Sequence, residues 1–291
     1  MADILRILFN SLQTGSTYAL AALGIALIWK TSRTTNFAQA SIGTLNAYVA
    51  GILLLSWGWS IWLVAIASMV TAFVTGVLID TFIIRPAAKV SAISKQIITL
   101  GLIMVIVGLI PLLFGVDPYR LPSFIPSASV DIAGATLRYN TIFVIAISLS
   151  LMGFLFWFIQ KTRWGLAIRV TAASETTARL MGVPTRTVTM ISWASAAMMG
   201  TLAALIVAPQ ASVNPNMLLD VQVSAFFAGV LGGFSTFLGP VVGSFIIAFA
   251  RNSAAFYISD IWGNVIVYSS ILVFLYFKPY GLLGKKLMKK V

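Results

Sequence analysis

The residues that could carry out chemistry in this chain are few, and their types exclude most catalytic sites. The sequence contains no histidine and no cysteine, and only seven acidic residues stand against nineteen basic ones. Without those side chains a zinc or haem site is not expected. No glycine-rich loop ending in Gly-Lys-Ser or Gly-Lys-Thr is present to hold phosphates. We therefore expect no catalytic residue, metal or cofactor here, and any ATP and Mg²⁺ must be bound by partner chains.

The charged residues within apolar runs are also poorly placed for ion-coupled transport. Asp80 falls late in one run, shortly before Arg85, and Asp220 opens another. No pair of carboxylates lies in the middle of a run, where a proton- or sodium-driven carrier usually needs ionisable groups. Arg251 is the one cation inside an apolar run, and we expect its long side chain to reach back towards the lipid headgroups.

Composition identifies the environment in which these residues must be positioned. Hydrophobic residues make up 59% of the chain and charged residues 9%, whereas about 25% of a soluble domain is charged. Most of the surface must therefore contact lipid. The net charge of +12 comes from residues between the apolar runs and at the C-terminus, a distribution typical of membrane proteins, so no nucleic-acid partner is expected.

The apolar runs predict an all-α, polytopic membrane bundle of about eight to ten spans, with residues 1–291 forming a single domain. A membrane-spanning helix needs about 20 mostly apolar residues, and barrel strands would alternate in polarity instead. The region 219–257 is compatible with two spans or with one span and a re-entrant piece. The predicted spans are 4–29, 41–57, 61–84, 97–115, 141–160, 188–208, 219–234, 239–257 and 262–278.

Lysine and arginine in the connections predict the orientation. Connections 85–96 and 161–187 and the C-terminal tail are rich in basic residues, whereas 116–140 balances two arginines with two aspartates. The positive-inside rule assigns the three basic segments to the cytoplasm. We therefore expect a cytoplasmic C-terminus and an external 116–140 loop.

The 161–187 connection is too long to be only a turn. Helix-favouring residues lead to Gly182, and Gly182 followed by Val183 and Pro184 is a typical helix stop. The pattern predicts a short helix at the cytoplasmic face. It is either an interfacial helix held by lipid headgroups or a docking helix for a cytoplasmic subunit, and the pattern alone does not separate the two.

Two further segments are candidates for helix breaks along a translocation path. One is the polar stretch 36–39, and the other is the glycine cluster 229–243, which contains Pro240. A broken helix frees backbone groups that must then face protein or a water-filled cavity. The alternatives are helix capping for the first segment and close helix packing for the second. The candidate residues are Asn36, Phe37, Gln39, Gly232, Gly233 and Gly239.

Four motifs, in order along the chain, resemble those of branched-chain amino acid ABC transporter permeases. They are residues 15–24 (GSTYALAALG) leading to 36–39 (NFAQ), 162–169 (TRWGLAIR) leading to 178–182 (ARLMG), 230–233 (VLGG) leading to 239–243 (GPVVG), and 278–284 (KPYGLLG). Ala40, Val170 and Val183 depart from the usual glycine, alanine and isoleucine. The match extends over nearly the whole chain.

The resemblance implies an inner-membrane permease subunit of a binding-protein-dependent ABC importer from a bacterium, with the larger importer-class fold and interrupted helices. Such a subunit pairs with a second related permease or a second copy, two cytoplasmic ATPases and a periplasmic substrate-binding protein. Leucine, isoleucine and valine are the implied substrates. Urea, short amides or another small polar solute are the alternatives within the family, and a self-sufficient secondary carrier is the alternative outside it.

The resemblance also favours docking for the 161–187 helix. Thr176 occupies the position where many importers have glutamate, and Glu175 is adjacent to it. The implied ATPase-docking residues are Glu175, Thr176, Ala178, Arg179 and Gly182. In the external loop, Arg120 and Arg138 are candidates for attracting an acidic lobe of the binding protein.

Overall fold

The computed structural model describes residues 2–125, 128–132 and 135–284. Over these residues the fold is an all-α bundle with one small β-hairpin. The helices are α1 (Ala2–Ser32), α2 (Gln39–Leu55), α3 (Ile61–Ile79), α4 (Ala92–Phe114), α5 (Tyr139–Lys161), α6 (Arg163–Ala173), α7 (Glu175–Leu180), α8 (Thr185–Val207), α9 (Leu219–Gly232), α10 (Leu238–Tyr257) and α11 (Asp260–Phe277). A π-helical segment, Asp80–Ile84, continues α3, and a 3₁₀ turn, Pro86–Lys89, follows it.

The apolar helices coincide with the predicted spans. Seven helices in the described ranges are long and apolar enough to cross a membrane: α1, α3 with its π-helical extension, α4, α5, α8, α10 and α11. Two more apolar helices, α2 and α9, are shorter, with 17 and 14 residues. Each predicted span therefore contains one helix, and the prediction of an all-α polytopic membrane bundle is confirmed.

The glycine-rich region 219–257 forms two helices rather than one span. Helices α9 and α10 are joined by the turn 233–237. A methyl group on Gly232 would overlap the Gly239 carbonyl, and one on Gly243 would overlap the Ala228 carbonyl. These contacts pair residues in opposite order, so α9 and α10 form an antiparallel hairpin in which the backbones touch.

Sequence analysis missed a short hairpin in the loop before α5. Strands β1 (Ser129–Ile132) and β2 (Ala135–Arg138) pair antiparallel, with Ser129 opposite Arg138 and Asp131 opposite Thr136. Both strands alternate polar and apolar residues, which is a strand signal. Four residues per strand are too few for that pattern to stand out in a chain dominated by helices.

Helices α1 and α8 form the centre of the bundle. The most apolar stretch of α1 is 83% buried and that of α8 is 67% buried, compared with 22% for α4 and 17% for α11. Helix α1 packs against α8, α9 and α10, and α8 also packs against α2 and α3. The peripheral helices therefore present their apolar side chains to lipid.

Small residues permit the close contacts around α8. A methyl group on Gly43 of α2 would overlap the carbonyl of Gly200 in α8, and one on Gly76 of α3 would lie 2.6 Å from the Cα of Ala194. Lipid tails are as apolar as leucine side chains, so helices in a membrane associate through close packing rather than through a hydrophobic driving force. These glycines therefore allow the backbones of neighbouring helices to touch.

One end of the bundle carries the basic connection 161–187, the end of α1, the α9–α10 turn and the segment 278–284. The Lys30 ammonium, near the end of α1, donates to the Ser235 carbonyl in the α9–α10 turn at 2.6 Å. The Arg33 guanidinium donates to the carbonyl of Ala172 in α6. The amide of Leu282 donates to a carbonyl of α9 at 2.7 Å. We call this the α6–α7 end.

The other end, which we call the hairpin end, carries β1 and β2. There the Val213 amide, in the loop after α8, donates to the Tyr119 carbonyl at 2.7 Å. The Thr141 hydroxyl, in α5, donates to the side-chain oxygen of Gln13 in α1 at 2.7 Å. The beginning of α1 lies at this end, whereas residue 282 lies at the α6–α7 end, as an odd number of crossings requires.

Tyr119 anchors the loop at the hairpin end. Its ring packs edge-on against Tyr48, with ring centroids 5.7 Å apart, and its hydroxyl lies 3.4 Å from the Ala47 carbonyl. Burial raises the pKa of the Tyr119 hydroxyl. The hydroxyl therefore stays protonated and remains a donor at physiological pH.

We predict that Gly43→Ala destabilises the bundle, because its methyl group would collide with the Gly200 backbone. Overpacking of this kind costs about 1–3 kcal/mol in the free energy of unfolding. The control is Gly101→Ala on the exposed face of α4, where an added Cβ meets nothing within 4 Å and alanine favours the helix. Thermal unfolding of the purified chain in detergent measures both, and equal midpoints would contradict the close-contact assignment.

Candidate functional site

The 161–187 connection folds into two short helices that stand outside the spanning helices. The Thr162 hydroxyl caps α6 by accepting from the Gly165 amide at 3.0 Å, and the Ser174 hydroxyl caps α7 by accepting from the Thr177 amide at 3.2 Å. Hydroxyl caps satisfy amides that lack an intrahelical partner. Gly182 has a φ of +79°, a conformation that favours glycine, so the helix stop predicted at this residue is confirmed.

Helix α7 is fastened to α8 by one arginine. The Arg179 guanidinium donates to the Glu175 carboxylate at 2.5 Å and, through Nε, to the Thr185 hydroxyl at 3.0 Å. Ala178 is fully buried beneath the helix, whereas Thr176 is exposed on its outer face. The five predicted docking residues therefore lie on one short helix and the turn that follows it.

Two apolar side chains project from the end of α7. Leu180 is 85% exposed and Met181 is 61% exposed. They lie in a connection otherwise dominated by polar and basic residues. Sequence analysis did not name them as site residues, because exposure depends on which face the helix buries.

A polar cavity of about 340 Å³ lies between α7 and the spanning helices. Glu175 and Arg179 form part of its wall from α7, and Asp80 and Arg85 form part of it from the π-helical end of α3. Asp80 is buried and pairs with Arg85 at 3.2 Å. Helix α7 thus borders the end of the third span as well as α8.

The predicted break at 36–39 separates α1 from α2. The Asn36 side-chain oxygen accepts from the Ala38 amide at 3.0 Å, in a local turn that interrupts the helix. The rings of Phe37 and of Phe226 in α9 are tilted against each other, with centroids 5.6 Å apart. This segment is therefore a real interruption, mostly buried within the bundle, and it contacts α9.

Gln222 is a buried residue that sequence analysis missed. From α9, its side-chain oxygen accepts from the Ala40 amide at 2.9 Å, and its nitrogen donates to the Asn36 carbonyl at 3.3 Å. The Gln222 side chain thus satisfies one backbone donor and one backbone acceptor at the break between α1 and α2. The sequence signal for Gln222 was an uncharged polar side chain within an apolar run, because burial of an unpaired polar group there costs free energy.

Gln39 is buried where α1, α2 and α8 meet. Its side-chain nitrogen donates to the Ala196 carbonyl at 2.7 Å, and it packs against Gly24 and Gly200. Within the described part of the chain, its side-chain oxygen and the Asn36 side-chain nitrogen are buried without a hydrogen-bond partner. Buried polar atoms are nearly always paired, so these two atoms mark the break as a place with unsatisfied hydrogen-bonding capacity.

The other predicted break, at Gly232, Gly233 and Gly239, is the turn of the α9–α10 hairpin. It lies at the α6–α7 end, where Lys30 contacts Ser235. The segment 278–284 closes over it: the Leu282 and Leu283 amides donate to the Leu231 and Gly232 carbonyls at 2.7 and 3.0 Å. The last carbonyls of α9, which have no partner within that helix, thus accept hydrogen bonds from backbone amides of the segment that follows α11.

Arg120 and Arg138 come together at the hairpin end. They line an open polar cavity of about 850 Å³, which we call the vestibule. Helix α1, the loop before β1, strand β2, the start of α5 and the loop after α8 all contribute to it. Its polar lining includes Arg6, Gln13, Arg120, Arg138, Thr141 and Gln210.

The expected placement of Arg251 is wrong. Its guanidinium donates to the Asp220 carboxylate and to the Tyr18 hydroxyl instead of reaching for headgroups, and its side chain is only 17% exposed. A charge held within a bundle is normally paired. Since the partners come from α9 and α1, this pairing was not visible in the sequence of α10.

Comparison with known proteins identifies the chain. The family model for the permease component of branched-chain amino acid transport systems matches residues 7–276. The chain belongs to this family. The resemblance drawn from the four motifs is therefore confirmed, and the protein is a membrane-embedded transport permease subunit.

Individual relatives align along nearly the full chain. One is the high-affinity branched-chain amino acid transport system permease protein BraD of Pseudomonas aeruginosa, 25% identical over 98% of this chain and 97% of the relative. Another is the corresponding protein LivH of Escherichia coli K12, 25% identical over 98% and 96%. Among solved structures, PsaBC from Streptococcus pneumoniae in complex with Fab has a TM-score of 0.50 at 12% identity, covering 92% of this chain and 90% of its own. This structural likeness concerns the fold alone.

We predict that Gln222→Leu weakens the junction between α9 and the 36–40 segment. Leucine keeps the size of the side chain but leaves the Ala40 amide and the Asn36 carbonyl without partners, which costs about 1–3 kcal/mol for each buried group. The control is Gln160→Leu, whose side chain is exposed on α5. A lower unfolding temperature for the first variant only, measured in detergent, is the expected result.

Proposed function

We propose that this chain is the permease subunit of a bacterial inner-membrane importer for branched-chain amino acids, a single permease domain driven by ATP hydrolysis on two cytoplasmic ATPases. It pairs with a second related permease or a second copy and receives its solute from a periplasmic binding protein. Membership of the family and the names of BraD and LivH support this assignment. The lack of histidine and the scarcity of acids within the spans agree with energy supplied by another chain.

The observation that carries the docking assignment is the exposed apolar pair Leu180–Met181 on α7. An exposed apolar surface next to charged groups is typical of an interaction site. Because Arg179 ties α7 to α8, force applied to α7 reaches a central helix directly. Glu175, Thr176, Ala178, Arg179 and Gly182 define the docking helix in this proposal, with Thr176 and Glu175 on its exposed side.

The same proposal orients the bundle. If ATPases bind α7, the α6–α7 end is cytoplasmic and the hairpin end is periplasmic, in agreement with the positive-inside rule. Gly284, next to the α9–α10 turn, then lies on the cytoplasmic side, which supports a cytoplasmic C-terminus. The lysines of the tail at 285–290 lie outside the described residues.

We assign the solute path to the broken helices. The break at 36–39 contacts α9 through Phe226 and Gln222, and the glycine turn at Gly232, Gly233 and Gly239 ends the same helix. Phe37 and Gln222 line a mostly apolar cavity of about 200 Å³ between α2, α4 and α9, a lining suited to aliphatic side chains. The unpartnered amide atoms of Asn36 and Gln39 favour a second arrangement of this break, as alternating access requires.

The vestibule would face the binding protein. Arg120 and Arg138 give the periplasmic surface a positive charge that attracts an acidic lobe over a distance of several ångströms. Replacement of both by glutamate should reduce stimulation of transport by the binding protein, more strongly at low than at high ionic strength.

We predict that Arg179→Glu uncouples ATP hydrolysis from uptake. The variant breaks the bonds to Glu175 and Thr185 and places two carboxylates on one helical turn, so α7 loses its fixed position on α8. Membrane insertion should be unchanged, while uptake per ATP hydrolysed should fall about twofold to fivefold, since an ion pair as exposed as this one is worth about 0.2–1 kcal/mol. The matched control is Lys278→Glu, the same charge reversal at the same end outside α7; normal coupling in Arg179→Glu would refute the docking assignment.

Substrate and energy source are tested together in proteoliposomes. The chain, its partner permease, the ATPases and the binding protein are reconstituted, and uptake of labelled leucine is compared with uptake of urea. ATP-dependent leucine uptake supports the proposal, whereas uptake of urea alone would identify urea as the substrate instead. Uptake by the single chain with an ion gradient and no ATPase would establish a secondary carrier instead.

A further inference from the structure

The vestibule gathers three arginines from separate elements without giving them a counter-charge. Arg6 comes from α1, Arg120 from the loop before β1, and Arg138 from the end of β2. All three are exposed, and none takes part in the ion pairs of the described residues. Like charges that share a cavity repel one another, so an anion bound among them would be stabilised.

The rest of the vestibule wall combines polar residues with a few apolar ones such as Phe9 and Leu137, and among the described residues it carries no carboxylate. On α1, Arg6, Asn10 and Gln13 follow helical spacing and share one face, and Asn140 and Gln210 contribute further amides. Amides donate and accept hydrogen bonds without adding charge. The wall therefore offers cationic ligands for an anion and neutral ligands for other polar atoms of the same molecule.

The nearest carboxylate on the hairpin leaves the arginines unpaired. Asp131 lies opposite Thr136 in the register, so both side chains are on the same face of the hairpin as Arg138. Asp131 nevertheless makes no ion pair with the three arginines within the described residues. The guanidinium groups of the three arginines therefore remain available to an external ligand.

The size of the vestibule and the residues that lie beneath it suit a small solute. A volume of about 850 Å³ lies in the range of small-molecule sites. The Thr141–Gln13 hydrogen bond crosses α5 and α1 at its wall, and deeper between α1, α5 and α8 lies a tightly buried apolar cluster. The cluster consists of Leu20, Val144, Leu202 and Ile206.

We infer that the vestibule binds the carboxylate of a free amino acid, with Arg6, Arg120 and Arg138 as its cationic ligands. The inference rests on the proposed function, which supplies an amino acid at this end of the bundle. A guanidinium binds a carboxylate through two parallel hydrogen bonds. A carboxylate on the surface of the binding protein offers the same chemistry, but a concave cavity of this size encloses a free solute better than it does a protein surface.

The absence of native cysteine allows a direct binding assay. Ser123→Cys places a single thiol at the exposed vestibule wall, and Ser56→Cys places one at an exposed position of the same end, after α2. The rate of maleimide labelling of the full chain in nanodiscs is measured with L-leucine, with leucinamide, which lacks the carboxylate, and with 4-methylpentanoate, which lacks the amine.

L-Leucine and 4-methylpentanoate should slow labelling at position 123 but not at position 56, and leucinamide should have no effect. Arg120→Gln or Arg138→Gln should raise the leucine concentration needed for protection roughly twofold to fivefold, because an exposed ion pair is lost. Lys278→Gln, at the other end, should leave protection unchanged. The comparison of the three compounds uses intact arginines, so a variant that fails to fold does not remove the test.

Equal protection by leucinamide and leucine, or no protection by any compound, overturns the inference. Protection by purified binding protein but not by free leucine also overturns it, because the arginines would then hold a protein carboxylate. Labelling requires neither ATP nor partners. ATP-driven leucine uptake without vestibule protection would therefore refute the carboxylate site alone, whereas protection without ATP-driven uptake would refute the proposed function alone.

Discussion

Direct backbone contact between helices is the constraint on which this structure depends. In lipid, apolar surface gives helices no reason to associate, so close packing and hydrogen bonds must hold the bundle together. Gly43 against Gly200 and Gly232 against Gly239 are contacts with no room for a methyl group. They surround α1 and α8 with neighbours and leave the larger apolar side chains of α4 and α11 for the lipid.

Exposed charged side chains cluster at the two ends of the bundle, while buried amides such as those of Gln39 and Gln222 lie between its helices. At one end, Arg179 fixes α7 on α8, and the α9–α10 turn at 233–237 lies at that end too. At the other, three arginines surround an open vestibule. Within the spans, the charged pair Arg251–Asp220 joins α10 to α9 and is satisfied further by Tyr18. The two ends of the bundle therefore differ, one carrying α6 and α7 and the other the vestibule.

Most of the architecture was predictable because it follows from local composition. The positions of the spanning helices depend on runs of apolar residues, and the end of α7 follows from the glycine at 182. Features that join distant segments were not predictable. Gln222 bonds to residues more than 180 positions away, and Arg6 reaches the vestibule only because α1 begins beside β2. The docking and path residues remain predictions, since exposure and proximity describe their surroundings and not their action.

The contact between segment 278–284 and α9 bears on the biogenesis of the protein. Ribosomes deliver α9 and α10 to the membrane before α11, yet the last carbonyls of α9 find their partners in the backbone that follows α11. The hairpin must therefore wait, with its turn incompletely bonded, until the final part of the chain emerges. These bonds therefore form only after α11 has been synthesised, and they join the last segment of the described chain to the preceding hairpin.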